Sequence, residues 1–276
     1  KEIALAVSEH YLPTGLDSKT PKKPFSITLA LTDKIDTLVG FFGINQKPTS
    51  SKDPYALRRS ALGVIKLLID NNKEFKIKDL ISYSTSLHRE QGFELSNDLS
   101  QKELAEFLMD RLKYYMKEKK IRSDIIEASI SSYGIDHMNK IYRKALTLNS
   151  LIKKEIGQDI VTSYKRASSI LDSELKNSDL ELSNTTDSGI FKNDYEKNLL
   201  KKINELKKYF ININKDENYT QSLTNLASAK KVIFDFFDNV KVNDEDKNIK
   251  KNRLELLQML CRTFDNYINF SNIEIK

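Results

Sequence analysis

Two neighbouring segments decide the fold class, Asp33-Lys-Ile-Asp-Thr-Leu-Val-Gly-Phe-Phe-Gly-Ile44 and Ser51-Lys-Asp-Pro-Tyr-Ala-Leu-Arg-Arg-Ser-Ala-Leu-Gly63. In the first segment the apolar residues recur at intervals of three and four, which is the spacing of one helix face. The second segment contains Asp53 and Pro54, residue types that are favoured at a helix start. The two segments therefore predict helices over 26–42 and 53–72, joined by a basic loop rich in Ser and Thr.

Helical spacing of apolar residues continues along most of the chain outside these segments. Ser100 and Glu103 have the spacing of a capping box, in which each side chain bonds the backbone amide of the other residue. Residues 177–193 lack a core pattern and predict an exposed loop. No segment shows strand alternation, and the 8 Gly and 5 Pro are few for a β-rich protein, so we expect an all-α fold. The further helices predicted are 78–88, 100–119, 160–175, 194–210, 219–239 and 244–270, with short ones from 123 and 136.

The composition is that of a globular chain with a mild excess of positive charge. Its 276 residues predict one to three domains, and its formal net charge of +6 suits an anionic partner without requiring one. The single Cys261 excludes an internal disulfide and indicates a reducing compartment, so we expect a cytoplasmic protein. No apolar run is long enough to span a bilayer, and no membrane partner is expected. Because the chain starts inside a predicted helix, we interpret it as a piece of a longer protein.

Two acidic residues lie on the side of the first predicted helix that we expect to pack inward. A buried carboxylate is costly unless it is paired or bound to a metal. Asp33 is a candidate ligand in a metal site of the HD phosphohydrolase type, but that site also needs a His-Asp doublet, which this chain lacks. We favour an ion pair of Arg58 with Asp33 or Asp36, and the metal site stays as the alternative.

The loop from Lys47 to Asp53 contains groups that bind phosphate, namely lysines, hydroxyls and the amides of a helix start. Arg59 lies on the polar side of the following helix, whereas Arg58 lies at the head of an apolar stripe. The loop lacks the Gly-x-x-x-x-Gly-Lys pattern of a nucleotide-binding P-loop. It therefore predicts either a contact with RNA or a solvated loop that only caps the helix.

Basic clusters also mark two helices in the last third of the chain. Exposed aromatic residues between cations suit stacking on the unpaired bases of an RNA loop, and the alternative is an ordinary solvated face with core aromatics. No nucleophile arrangement, metal-ligand spacing or ATP-binding motif occurs. The clusters are Lys197, Lys201, Lys202, Lys207 and Lys208, then Lys247, Lys250, Lys251 and Arg253, beside Tyr209, Phe210, Tyr219 and Tyr267.

Several ordered motifs resemble one family, the β subunit of the bacterial two-subunit glycyl-tRNA synthetase, and the resemblance runs from end to end. The motifs toward the start are Glu9-His-Tyr-Leu-Pro13, the segment 33–44 and Lys52-Asp-Pro-Tyr-Ala-Leu-Arg-Arg59. Others are similar to the helical anticodon-binding domain of arginyl-tRNA synthetase and its relatives. These are Tyr164-Lys-Arg-Ala-Ser-Ser-Ile-Leu171, Phe236-Phe-Asp-Asn-Val-Lys-Val242 and Asn252-Arg-Leu254.

The resemblance implies a domain order, a set of partners and a set of binding residues. Residues 1–75 would end an HD-like helical domain, 76–155 would form a helical connector, and 156–276 would form an anticodon-binding helical bundle. The implied enzyme is an α2β2 glycine–tRNA ligase of protein synthesis, in which the α subunit uses ATP and Mg and the β subunit binds tRNA-Gly. In this chain the resemblance implies no catalytic residue, no bound cofactor and no DNA partner. Its candidates for tRNA binding are Lys47, Lys52, Arg58, Arg59, Lys165, Arg166, Lys251 and Arg253.

Two other functions stay open from the residues alone. One is a fragment of an HD-type phosphohydrolase that binds a metal through Asp33. The other is a helical scaffold that binds a protein through an apolar seam of the last long helix, where residues alternate at three and four as in a coiled coil. That seam consists of Leu254, Leu257, Cys261, Phe264 and Ile268.

Overall fold

The computed structural model describes residues 1–95, 98–132, 134–176, 181–183, 185–213 and 218–274, and within these ranges every regular element is a helix, as predicted. The helices are α1 (Glu2–Glu9), α2 (Pro24–Gly43), α3 (Leu57–Asp70), α4 (Ile77–Glu90), α5 (Asp98–Glu118), α6 (Ser123–Ser132), α7 (Met138–Leu151), α8 (Glu155–Lys176), α9 (Asp194–Ile211), α10 (Tyr219–Ala227), α11 (Lys230–Asn239) and α12 (Lys247–Phe264). Short 3-10 turns occur at Ile135–His137, Ser188–Ile190 and Phe270–Asn272. None of the helices in the described ranges is both long and apolar enough to cross a bilayer.

The chain divides into two compact units. The first comprises Lys1–Arg122 and Tyr133–Arg143, and the second comprises Ser123–Ser132 and Lys144–Lys276. Helices α4 and α5 belong to the first unit and α6 to the second. The segment 76–155, which the resemblance implied as a connector, is therefore divided between the two units.

Helix α2 is the central element of the first unit and packs against α1, α3, α4 and α5. Its predicted apolar face is buried, including Leu38 and Phe42. The Phe42 ring lies 5.2 Å from the ring of Phe107 on α5. Burying one such side chain contributes about 1.5–3 kcal/mol, so the apolar face of α2 stabilises the packing of this unit.

The start of α3 differs from the prediction of a helix beginning at Asp53. Regular helix begins at Leu57, after Ala56 in a left-handed conformation with φ of 54°. The Asp53 carboxylate accepts hydrogen bonds from Leu57 N at 2.8 Å and from Arg58 N at 3.0 Å. Asp53 thus satisfies the first free amides of the helix, as a cap does, but from outside the helix.

Two buried lysines fasten the segment between α1 and α2. Lys34 Nζ donates to the carbonyl of His10 at 2.9 Å, and Lys66 Nζ donates to the carbonyl of Leu16 at 2.7 Å. Burial lowers the pKa of Lys34, and the nearby carboxylate of Asp33 opposes that shift. Lys66 follows Arg59 by seven residues, on the side of α3 that was predicted to be polar, yet its side chain is almost fully enclosed.

Helix α12 is central to the second unit and packs against α8 and α9. The five residues of its predicted seam are all buried inside this unit. The apolar seam that the scaffold hypothesis offered to a partner protein is therefore already covered by the chain's own helices. The enclosed residues are Leu254, Leu257, Cys261, Phe264 and Ile268.

The predicted helix 219–239 is interrupted in the structure. Helix α10 ends at Ala227 and α11 starts at Lys230. Ser228 Oγ donates to the carbonyl of Asn225 at 2.6 Å, and such a local side-chain bond competes with continued helix.

Two further boundaries differ from the predictions. Ser100 lies inside α5 and not at its start, so the predicted capping box with Glu103 is wrong. The last helix is shorter than 244–270, because α12 begins after Asp246, which caps Asn248 N at 2.8 Å, and ends at Phe264. The predicted loop 177–193 falls partly outside the described residues, and its part at 188–190 forms a 3-10 turn.

Candidate RNA-binding surfaces

The loop before α3 is held together by Thr49 and Asp53. Thr49 N donates to the carbonyl of Lys52 at 2.9 Å, and Lys52 N donates to Thr49 Oγ1 at 3.2 Å. Arg58 donates to the carbonyl of Thr49, and its guanidinium lies 3.9 Å from the Asp53 carboxylate. Arg58 therefore closes this loop from within, and because its side chain is still 32% exposed it stays a prediction for RNA contact.

The other three predicted cations near this loop differ in what they contact. Lys47 forms an ion pair with Glu103 of α5. Lys52 and Arg59 are exposed, and within the described ranges neither side chain has a hydrogen bond or ion pair. Lys52 and Arg59 thus remain as predictions for RNA contact, whereas Lys47 fixes the loop to its own unit.

The acidic residues of α2 do not pair with Arg58, so that prediction is wrong. Asp36 is exposed, and its Oδ1 lies 3.0 Å from His88 Nε2 without the alignment of a hydrogen bond. Asp33 is only half-buried, so neither acid is in the apolar setting that the argument assumed. The described residues contain no group of three His, Cys, Asp or Glu residues placed to hold a metal ion, so the metal site at Asp33 gains no ligand set there.

Arg253 is buried in the second unit, and two of its three guanidinium nitrogens form hydrogen bonds. It is only 4% exposed; its Nε donates to Glu196 at 2.7 Å, and one terminal nitrogen donates to the Lys241 carbonyl and to Asp244, both at 2.8 Å. Hydrogen bonding from the amide of Asp246, with help from the nearby cations, lowers the pKa of Asp244. A contact of Arg253 with RNA does not fit this geometry, because the side chain is almost fully enclosed and bonded to two carboxylates.

The predicted cations of α8 are also engaged within the unit. Lys165 Nζ donates to the carbonyl of Ser271 at 2.8 Å. The Arg166 guanidinium lies 4.8 Å from the centre of the Phe237 ring and 3.0 Å from an oxygen of Asp238. Both side chains are partly exposed, so they remain predictions for RNA contact, but their first role is to fasten α8 to its neighbours.

One of the four aromatics predicted to stack on bases is a core residue. Tyr267 is fully buried, its hydroxyl donates to the carbonyl of Lys144 at 3.2 Å, and Lys144 Nζ lies 4.8 Å from its ring centre. Tyr195 of α9, which the sequence analysis did not name, is an exposed aromatic residue of this unit.

The outward face of α9 carries three exposed cations of the basic clusters. Lys197, Lys201 and Lys208 are spaced at four and seven, which places them on one side of the helix, and all three are exposed. We call these three residues the α9 lysine stripe. Lys197 lies 2.9 Å from Asp194, and both side chains are largely in solvent.

A shallow groove of about 480 Å3 runs beside the stripe. Phe191 and Leu200 contribute apolar surface to it, and the stripe lysines border it. The sequence analysis named these lysines as part of a cluster but did not separate the lysines that face outward. Helical spacing alone could have identified them.

Comparisons with known proteins match almost the whole chain. A family model described as "Glycyl-tRNA synthetase beta subunit" matches residues 1–131, and one described as "DALR anticodon binding domain" matches residues 160–275. The glycine–tRNA ligase beta subunit of Rickettsia prowazekii is 34% identical over 273 residues, which cover 99% of this chain and 38% of the relative. The corresponding subunits of Ruegeria sp. and Cereibacter sphaeroides are 32% and 33% identical, again over 99% of this chain.

The chain spans about two fifths of the length of these curated relatives. Its second unit contains the stretch that matches the anticodon-binding model, including α9 and α12. The matched models and the similarity over 99% of the chain show that it belongs to the glycyl-tRNA synthetase β-subunit family and corresponds to the C-terminal part of that subunit.

Proposed function

We propose that this chain is the tRNA-binding part of a glycine–tRNA ligase β subunit, which holds tRNA-Gly while an α subunit attaches glycine. The observation that carries the proposal is the α9 lysine stripe, a row of exposed cations inside the segment that matches an anticodon-binding domain. Exposed lysines bind phosphates by releasing counterions, and the nearby Phe191 and Tyr195 offer surfaces on which unpaired bases stack.

The partners and the location belong to the same proposal. The α subunit would supply the ATP, Mg and glycine chemistry within an α2β2 tetramer, and the complex would act in the cytoplasm. The relatives are named beta subunits of a ligase, which supports a second kind of subunit in general terms. In this chain the described residues would position the RNA and take no part in the bond-forming step.

The stripe makes a specific prediction for salt-dependent binding of tRNA-Gly. Replacing Lys197, Lys201 and Lys208 together by Gln should weaken binding and lower the slope of log affinity against log salt by about 2 to 3, because each phosphate contact contributes about 0.7–0.9. The measurement is a mobility-shift titration with tRNA-Gly between about 50 and 200 mM salt.

The matched control removes the same charge elsewhere. Lys19, Lys153 and Lys154 are exposed and lie away from α9 in the sequence, so the triple Gln variant at these positions should keep almost the wild-type slope. Equal slopes for the two triple variants would mean that only the net charge of the chain attracts RNA, and the proposal would fail.

A further inference from the structure

A second groove of about 330 Å3 lies next to the first, between α9 and α11, and shares Lys201 and Glu205 with it. Acidic and amide side chains line both grooves together with lysines, but only this groove takes part of its lining from α11. Its lining consists of Tyr195, Asn198, Lys201, Lys202 and Glu205 from α9 and Val232 and Asp235 from α11.

The apolar part of this groove suits the flat face of a base. Tyr195 is 39% exposed, and Val232 provides an aliphatic surface on the opposite helix. Aromatic residues at the edge of a cationic surface are the usual platforms for unpaired bases, because every base has a π-face. Lys201 borders this groove and also belongs to the α9 lysine stripe, so a phosphate bound by the stripe would place its base nearby.

The polar part of the groove contains an acidic group that a phosphate site would not need. Asp235 has no ion-pair partner among the described residues, whereas Glu205 is within 3.6 Å of Lys202. A carboxylate repels phosphate, so Asp235 would weaken binding if this groove served only to attract the RNA backbone. A carboxylate accepts hydrogen bonds from the amine of cytosine, and a side-chain amide such as that of Asn198 can donate to the neighbouring ring nitrogen or carbonyl.

We propose that the groove between α9 and α11 binds an unpaired cytosine, with Asp235 accepting a hydrogen bond from its exocyclic amine and Tyr195 stacking on its face. This inference rests on the proposed function, because an anticodon that pairs with glycine codons carries cytosines. Uracil presents a carbonyl oxygen in place of that amine, so the Asp235 carboxylate repels it. Asp235 is thus a specificity-determining residue, and the α9 lysine stripe supplies affinity.

The test compares tRNA-Gly with a tRNA-Gly in which one anticodon cytosine is replaced by uracil, using the full chain. The wild-type chain should prefer the cytosine form by about tenfold, the usual range for one well-placed base contact. In Asp235→Asn the amide can accept from cytosine or donate to uracil, so the preference should fall close to one. Tyr195→Leu should weaken both RNAs by about tenfold and keep their ratio, since stacking does not distinguish the two bases.

Glu245→Gln is the matched control, because it removes one negative charge from the same unit at an exposed residue that does not line the groove and has no ion pair within the described ranges. It should keep the wild-type preference. A preference that survives Asp235→Asn would overturn this inference and leave the proposed function standing. A wild-type chain that binds tRNA-Gly without distinguishing the two RNAs would do the same, and a chain without salt-dependent tRNA binding would overturn both.

Discussion

The buried ion pair between Arg253 and Glu196 gives the sharpest prediction for stability. The two side chains are 4% and 1% exposed, and their atoms lie 2.7 Å apart. In Arg253→Gln, Glu196 Oε1 would lose its partner, while Oε2 would keep its bonds from the amides of Lys192 and Asn193. Removing one partner of a buried pair costs about 3–5 kcal/mol, because the remaining charge stays buried without compensation.

Thermal denaturation measures this loss directly. A cost of that size should lower the melting temperature by about 6–20 °C, since each kcal/mol shifts it by about 2–4 °C in a domain of this size. Lys251→Gln is the control, because Lys251 is on the same helix, is partly exposed and has no ion pair within the described ranges, so its effect should stay within about 0.5 kcal/mol. Adding Glu196→Gln to Arg253→Gln should recover part of the loss, since the uncompensated charge is then gone.

The result that refutes this reasoning is equally specific. Suppose that Arg253→Gln melts at the wild-type temperature but binds tRNA-Gly more weakly. The guanidinium would then contact RNA, and its main role in solution would not be to stabilise the fold. If both properties fall together, the binding loss follows from the damaged fold, and comparison at a temperature well below the melting transition separates the two effects.

Two further predictions concern the interiors of the two units. In Gly63→Ala the new Cβ would lie 2.6 Å from Lys34 Cε, so the Lys34 side chain must move and release the His10 carbonyl. We expect the free energy of unfolding, measured by urea denaturation, to fall by about 1–3 kcal/mol. The control is Gly15→Ala, which should change stability little because the space around Gly15 is open. Burial raises the pKa of Asp265 from its ordinary value of 3.8 to about 6, so the folded state binds that proton more tightly than the unfolded state, and this residue's contribution to stability should fall as the pH rises from about 4 to about 6. Asp265→Asn should flatten that decline by about 1–2 kcal/mol after allowance for solvent screening, as followed by denaturation midpoints across the same pH range.

The helices were predictable because their cause is local. The apolar residues of α2 recur at the helical period, and that spacing alone determines which face, including Leu38 and Phe42, is buried. The helix starts were less predictable, because a cap acts through geometry and not only through residue type. Asp53 has the chemistry of a cap, yet it reaches the amides of Leu57 and Arg58 from outside the helix, which no pattern of adjacent residues encodes.

The roles of the cations were the least predictable part of the site, because their partners are distant in sequence. Glu196 lies 57 residues from Arg253, and the carbonyl that binds Lys66 lies 50 residues away from it. Nothing near either cation in the sequence indicates that it is enclosed. The stripe on α9 is the opposite case, since its spacing is local and the helical period would have separated its outward lysines from the rest of the cluster.

Burial and pairing, and not the number of positive residues, decide which cations of this chain are available to an RNA. The Lys197–Asp194 pair is 2.9 Å long, as short as many buried pairs, but both side chains are largely in solvent, so the pair is worth only about 0–1 kcal/mol. A phosphate can displace Asp194 from Lys197 at little cost. The same exchange at Arg253 would require an enclosed guanidinium to break three hydrogen bonds, two of them to carboxylates, at a cost of several kcal/mol. The formal net charge of +6 therefore does not show which cations can bind RNA. Within the second unit, Arg253 and its bonded partners stabilise the bundle, whereas the α9 lysine stripe remains available for binding.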